Sequence, residues 1–448
     1  GCRLLRGGGV TCPGIYCTIP TASNLYQTML DPPLSWWWRE TLTGWAPSSR
    51  EGHTAVYSTF LRGTVILGGF APSRGHLSDC CVAKLAGAGD LAILDWVVLP
   101  LSGSMPRRCY HGAATIDAAG IPQLIVYGGQ RAPFREHPDA AAAALNDAWS
   151  IDLSSGRLQP LIANNGAPPS PRLRLVCVGV PGSSGTQRVL VLGGCTASAD
   201  FFQPADCLHT LMISAGHIEW IAGESILVET MRSRGEATDS AAPTAASIVL
   251  GRATRAAAVQ AAPQRVQQQL AQWAHLQRHS HTGVLLGRQI VVFGGKTPRG
   301  VCGMLLRLRA DSLACEVFAT QGKPPCARYS HTAAAVAYTM LLHGGRRADS
   351  SPLSDLHILS MNTATWSLAQ IGGGISSPVR HSHSFSLLTP ASSAAAGAVL
   401  CFGGYDASNS FSPNAALLLE LPASASPLLT PVSRPPAQRT PPSVPIAR

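Results

Sequence analysis

The sequence predicts an all-β chain folded as a six-bladed β-propeller whose last blade is closed by an N-terminal strand. Three observations carry this expectation. A short apolar run ending in two glycines occurs six times, at Gly68-Gly69, Gly128-Gly129, Gly193-Gly194, Gly294-Gly295, Gly344-Gly345 and Gly403-Gly404. The first glycines lie 60, 65, 101, 50 and 59 residues apart, and such a period is the mark of stacked supersecondary units. Arg-x-x-His stands upstream of five copies, as Arg50/His53, Arg108/His111, Arg278/His281, Arg328/His331 and Arg380/His383; the third keeps Arg172 but has Leu175 at the His position. An Asp-containing apolar stretch follows (Leu145–Asp152, Leu353–Leu359), and several copies then carry a Trp: Trp96, Trp220, Trp366.

Each unit reads as four short strands. The run before the diglycine, such as Val189-Leu190-Val191-Leu192, is apolar at nearly every position, as expected of a strand covered on both faces. The glycines permit positive φ and close backbone approach. A four-stranded unit cannot bury both its faces alone, so the units close into a ring. In the fourth copy Val317 is expected in place of the Trp. After the sixth diglycine comes one more apolar strand, Ala415–Leu421, and no Trp strand. The missing strand is expected at the other end, in Ser35–Leu42. There Trp36-Trp37-Trp38, Pro47 and Arg50/His53 repeat the internal order Trp366, Pro378, Arg380/His383.

With the diglycine, the downstream aromatic positions and the Trp in phase, residues 33–421 resemble the kelch-repeat family. That resemblance implies a kelch-type propeller that binds a protein partner through loops on one face. Residues 1–32 form an N-terminal extension without a BTB-like or F-box-like helical segment, so a ubiquitin-ligase adaptor role has no sequence support. Within the long third interval, residues 222–277 form an insertion rich in Ala, Gln, Ser and Arg, mostly loop. Its end places Val266, Leu270, Trp273 and Gln277 on one face of a short helix after Pro263. The tail 422–448 is proline-rich and expected to be disordered.

Composition narrows the function. The net charge of +10 comes from 31 Arg and 3 Lys scattered without a dense block, so direct nucleic-acid binding is not expected. No apolar run is long enough for a transmembrane helix. The 13 cysteines are irregularly spaced and contain no C-x-x-C, which argues against a zinc ribbon and for reduced thiols in the cytoplasm.

Chemistry has few candidates. His279-Ser280-His281 and His381-Ser382-His383 suggest imidazole ligands, but His281 and His383 recur once per repeat and so have a structural explanation. No metal, cofactor or catalytic residue is expected. No dinucleotide fingerprint, P-loop, His-Glu-x-x-His or Gly-x-Ser-x-Gly occurs. The radical site of galactose-oxidase-type kelch enzymes and the spaced Glu, Asp and His of plant specifier proteins have no counterpart here. A narrower resemblance is to the kelch propeller of carboxyl methyltransferases of tRNA wybutosine synthesis. It rests on Arg108–His111, Gly128–Pro133 and Arg380–Ser384. It implies, as the alternative function, an accessory propeller whose catalytic domain lies outside this chain.

The kelch resemblance places the residues just after the repeat Arg on the rim of the central channel. They are Glu51, Cys109-Tyr110, Leu173-Arg174, His279, Tyr329 and His381, and they vary while the framework repeats. Tyr and Arg are enriched at interface hot spots. Tyr110, Arg174 and Tyr329, with His279 and His381, are therefore the expected partner-binding residues.

Overall fold

The computed structural model describes residues 36–40, 44–86, 93–118, 120–131, 144–182, 185–223, 225–226, 264–372, 375–389, 397–412 and 416–420. The N-terminal extension 1–32, most of the insertion and the tail 422–448 lie outside the described residues. Six antiparallel sheets of four main strands each form the blades. Blade 1 consists of Thr54–Ser58, Gly63–Ala71, Gly75–Ala86 and Ile93–Val98, and blade 2 of Gly112–Ala118, Ile121–Tyr127, Ala148–Asp152 and Leu158–Pro160. Blade 3 runs Val176–Pro181, Gln187–Leu192, Leu208–Ser214 and His217–Ala222; blade 4 runs Thr282–Leu286, Gln289–Phe293, Leu305–Arg309 and Cys315–Val317. Blade 5 comprises Thr332–Val336, Thr339–His343, Leu356–Ser360 and Thr365–Leu368. Blade 6 comprises Ser384–Leu388, Ala398–Phe402 and Ala416–Glu420, with Trp37–Glu40 as its outer strand.

The N-terminal strand therefore closes the ring. Trp37 through Glu40 pair antiparallel with Glu420 through Leu417. On its other side Trp36 N–H donates to Gln370 O at 3.0 Å, and Gly372 N–H donates to Trp36 O at 2.8 Å. Linkers elsewhere do the same: Ser102 bridges Arg157, Asn165 bridges Glu219, and Gln321–Gly322 pair with Thr365–Trp366, all in parallel. Each such linker runs along the outer strand of the blade it enters.

The second strand of every blade is the most buried, as its apolar run requires. Each of six apolar clusters fills one blade interface. Aromatic contacts across these interfaces follow a rule. The outer-strand Trp of one blade meets the residue before the diglycine of the preceding blade: Trp96 with Phe402 at 5.1 Å, Trp220 with Tyr127 at 5.1 Å, Trp366 with Phe293 at 5.6 Å and Trp38 with His343 at 5.0 Å. Where the preceding blade offers Leu67 or Leu192, the Trp position holds Leu158 or Cys315 instead. The register thus corrects one expectation: Cys315, paired with Leu308, occupies the Trp position of blade 4, and Val317 lies two residues beyond it.

The insertion repairs that blade. Helix α1 (Gln264–Gln272) and the short 3-10 turn after it (Trp273–Leu276) bury Leu270, Trp273 and Leu276 between blades 3 and 4. Trp273 Nε1 donates to Leu313 O at 3.3 Å, and Gln277 Nε2 donates to Phe202 O at 2.8 Å. An indole supplied by the insertion packs where the blade's own Trp is missing.

Candidate functional site: the mouth of the central channel

The repeat Arg builds the channel wall from beneath. All six are buried, and each donates from Nη1 to the carbonyl of the first glycine of its own blade, at 2.8 to 3.1 Å. Arg50, Arg108 and Arg328 also grip Asp79, Asp147 and Asp355 through two nitrogens each, the fork geometry that strengthens such pairs. Burial alone would raise Asp355, but the hydrogen bonds and charge of Arg328, with His357, outweigh it and hold the carboxyl well below its usual range. Blade 3 has no such aspartate: Arg172 takes Asp206 O and lies 4.1 Å from the Phe202 ring centre. These recurrent arginines and aspartates hold the fold.

Two residues after each Arg the backbone turns left-handed, at Gly52, Tyr110, Arg174, Ser280, Ser330 and Ser382, with φ between 53° and 60°. These residues hand a hydrogen bond around the channel. Tyr110 N–H donates to Gly52 O (2.6 Å), Arg174 to Tyr110 (2.8 Å), Ser280 to Arg174 (3.1 Å), Ser330 to Ser280 (2.9 Å) and Ser382 to Ser330 (2.9 Å). The residue immediately after each Arg is pinned to the one after the diglycine: Glu51 to Phe70, Cys109 to Gln130, Leu173 to Cys195, His279 to Lys296, Tyr329 to Arg346 and His381 to Tyr405. The diglycine must be small here, since a Cβ on Gly69 would lie 2.8 Å from both Glu51 O and His53 Cβ, at a φ of +98°.

The next residue, the repeat His, locks neighbouring blades together. His111 Nε2 meets Thr54 Oγ1 (3.0 Å), His331 meets Thr282 (3.0 Å), His383 meets Thr332 (2.9 Å) and His53 meets Ser384 Oγ (2.8 Å). Blade 3 breaks the series for a physical reason. The preceding blade presents Gly112 at the hydroxyl position, so an imidazole would find no partner, and Leu175 replaces it. His281 faces Val176 and neither of its ring nitrogens has a hydrogen-bond partner.

Above this framework lies a cavity of about 980 Å³ to which all six blades contribute. Tyr110, Arg174, Tyr329 and His381 line it. His279 does not: it is buried behind the wall, 5.4 Å from the Phe201 ring. Burial, then the charges of Arg174 and Lys296, lower His279 to about 4, so it is neutral at pH 7. His381, stacked on Tyr405 at 5.1 Å and bonded to Asn409 at 3.1 Å, is lowered to about 4 by burial and by Arg346.

The mouth is cationic. Arg174, Lys296 and Arg346 line it, and Glu51 is the one carboxylate among its described lining residues. That carboxylate is already engaged, accepting from Tyr405 Oη at 2.7 Å and from the Tyr110 hydroxyl. Burial and the Glu51 charge push the Tyr110 phenol well up, keeping its proton on. Arg174 lies 4.7 Å over the Tyr110 ring and Lys296 lies 4.2 Å over Tyr329, which holds both cations upright without neutralising them. Among the described residues none of the three cations forms an ion pair, and the buried Nε of both Arg174 and Arg346 lacks a hydrogen-bond partner. Lys296, Arg346 and Tyr405 were not singled out from the sequence. The signal for them was the position after each diglycine, which varies while the diglycine repeats.

Six four-stranded blades in a closed ring around a channel define a six-bladed β-propeller. Comparison with known proteins shows what parts of the chain are similar to. The family described as KLHDC2/KLHL20/DRC7 Kelch-repeats domain matches residues 280–445. The Rab9 effector protein with kelch motifs of Bos taurus is 33% identical over 114 residues, which is 24% of this chain and 30% of that protein. Acyl-CoA-binding domain-containing protein 5 of Arabidopsis thaliana is 32% identical over 93 residues, 20% of this chain and 14% of its own length. The matched stretches span less than a third of these relatives. The chain is a six-bladed β-propeller whose residues 280–445 match a kelch-repeat domain family.

Proposed function

We propose that the protein is an interaction scaffold that holds an acidic segment of a partner protein in the channel mouth and catalyses no reaction itself. The observation that carries this reading is the set of three unneutralised cations, Arg174, Lys296 and Arg346, around a concave mouth whose acid is spent on two tyrosine hydroxyls. Charge-assisted hydrogen bonds from Arg to a carboxylate are the natural use of such a cradle. Tyr110, Tyr329 and His381 supply the flat surfaces typical of interface centres, and His279 supports the wall from behind. The relative's name, an effector of Rab9, accords with a binding role. Among the described residues no helix is long and apolar enough to cross a membrane, and the ten described cysteines are free thiols, in keeping with action in the cytoplasm.

The test is the triple variant Tyr110→Ala, Arg174→Ala, Tyr329→Ala. It should keep the wild-type circular dichroism spectrum and weaken recovery of the main co-purifying partner by about tenfold or more, equivalent to about 1.4 kcal/mol. Binding by the wild type should also weaken with added salt, as attraction between charges requires. A folded triple variant with unchanged recovery would place the binding surface elsewhere.

A further inference from the structure

One blade interface departs from the repeat at two positions that meet in space. Before the diglycine the six blades hold Leu67, Tyr127, Leu192, Phe293, His343 and Phe402; one residue earlier they hold Ile66, Val126, Val191, Val292, Leu342 and Cys401. His343 of blade 5 and Cys401 of blade 6 are thus the exceptions that carry soft nitrogen or sulfur donors in two series otherwise aliphatic or aromatic. Both belong to second strands, and both are fully buried. A ring nitrogen of His343, one of His383 and the Cys401 sulfur all lie within 4.8 Å of one another. His343 Nδ1 is 3.1 Å from His383 Nε2, while its other nitrogen has only Ser377 Oγ at 3.4 Å. Packing does not need these groups, because a Phe at the His343 position meets the neighbouring Trp equally well in blades 4 and 6.

We propose that His343, His383 and Cys401 bind a thiophilic metal ion, Zn²⁺ or Cu⁺, that clips blade 5 to blade 6. Two imidazoles and a thiolate form a donor set that both ions accept and that Ca²⁺ and Mg²⁺ do not. Bonds of about 2.0 Å to nitrogen and 2.3 Å to sulfur space ligand atoms by about 3.3–3.7 Å, so the two nitrogens, 3.1 Å apart, already stand near that spacing and the Cys401 sulfur closes in by up to about 1 Å through side-chain rotation. Binding expels the Cys401 proton to solvent, and a site so deep fills as the blades assemble. The His-x-His spacing in the sequence drew attention to His381 with His383. Both border the channel mouth, but their rings part: His381 bonds Asn409, whereas His383 Nε2 meets Thr332 and His343 at the blade interface.

The test is the metal content of the intact protein, purified after expression in zinc- or copper-supplemented medium and measured by mass spectrometry. One ion per chain is expected, and which supplement fills the site names the metal. His343→Phe and Cys401→Val restore residues found in the other blades and should each reduce the content at least tenfold. A thiol-competing chelator should lower the melting temperature of the wild type and leave that of folded His343→Phe unchanged. In Co²⁺-supplemented medium the wild type should show a thiolate-to-cobalt charge-transfer band, a readout that needs no variant to fold. Less than one tenth of an ion per wild-type chain in every medium, or equal content in folded variants, would overturn the proposal.

Discussion

At the scale of single residues, the repeat His is an interblade latch that works only when the preceding blade offers a hydroxyl. The chain contains its own controls. Leu175 stands where Gly112 offers none, and a Cβ on Gly112 would lie 2.5 Å from Cys177 Sγ, so that blade could not acquire a hydroxyl without displacing the thiol. His281 has kept its imidazole opposite Val176 and left both nitrogens unpaired. Val176→Thr should therefore stabilise the protein by about 1 kcal/mol, and Thr282→Val, which strands His331, should destabilise it by about as much or more. Urea denaturation of the two variants reads both signs, and two shifts of the same sign would refute the latch. The buried repeat histidines also set the response to pH. His53 and His331 are lowered to about 3, and His111 and His281 lie well below the usual value, chiefly through burial. The unfolded chain takes up protons near pH 6.5 while the folded chain does not. Stability is then full above about pH 6.5 and falls as the pH drops towards 3, by up to about 1.4 kcal/mol per pH unit for each histidine. The depressed Asp147 and Asp355 act in a lower window, losing their contribution only below the unfolded carboxylate value near 4. A melting temperature that is flat from pH 7 to pH 5 would contradict this.

At the scale of elements, the outer strand and what stands in for it decide each interface. Trp38, on a strand from the far end of the chain, does for blade 6 what Trp96, Trp220 and Trp366 do for theirs. Deleting residues 1–45 removes that indole and exposes the edge of Ala416–Glu420. The truncated chain should aggregate or lose its cooperative transition, which light scattering and a thermal melt report. Trp273 is the counterpart in blade 4. Trp273→Ala should cost about 3–5 kcal/mol, the loss expected of a buried aromatic core residue, although the residue belongs to an insertion outside the repeat. The strands were legible in the sequence because each carries its own pattern: apolar runs, diglycines and a recurrent Trp. The helical end of the insertion was legible because Leu270 and Trp273 share a face. What the sequence obscured was register. Val317 is the position the sequence offers for the Trp of the fourth copy, whereas cross-strand pairing with Leu308 selects Cys315.

At the scale of the whole molecule, the site is made by the ring and by no single repeat. Every blade contributes three to seven residues, and Tyr110, Arg174, Tyr329 and His381 meet around one mouth only because six copies are arranged about an axis. Their recurrence after the repeat Arg made them visible in the sequence. The cations after the diglycines and the His343–Cys401 meeting were hidden, since both depend on which strand faces which across a blade. All of this rests on closure of the ring by the N-terminal strand. Native-state hydrogen exchange, read residue by residue, tests that directly. If Trp37–Glu40 pairs with Ala416–Glu420, then residues 416–420 form an interior strand, and their amides should exchange as slowly as those of Val399–Cys401, only through global unfolding. Alternate amides of 416–420 exchanging as fast as those of a solvent-exposed edge strand would show that the N-terminal strand is not in place and that the ring is not closed as described.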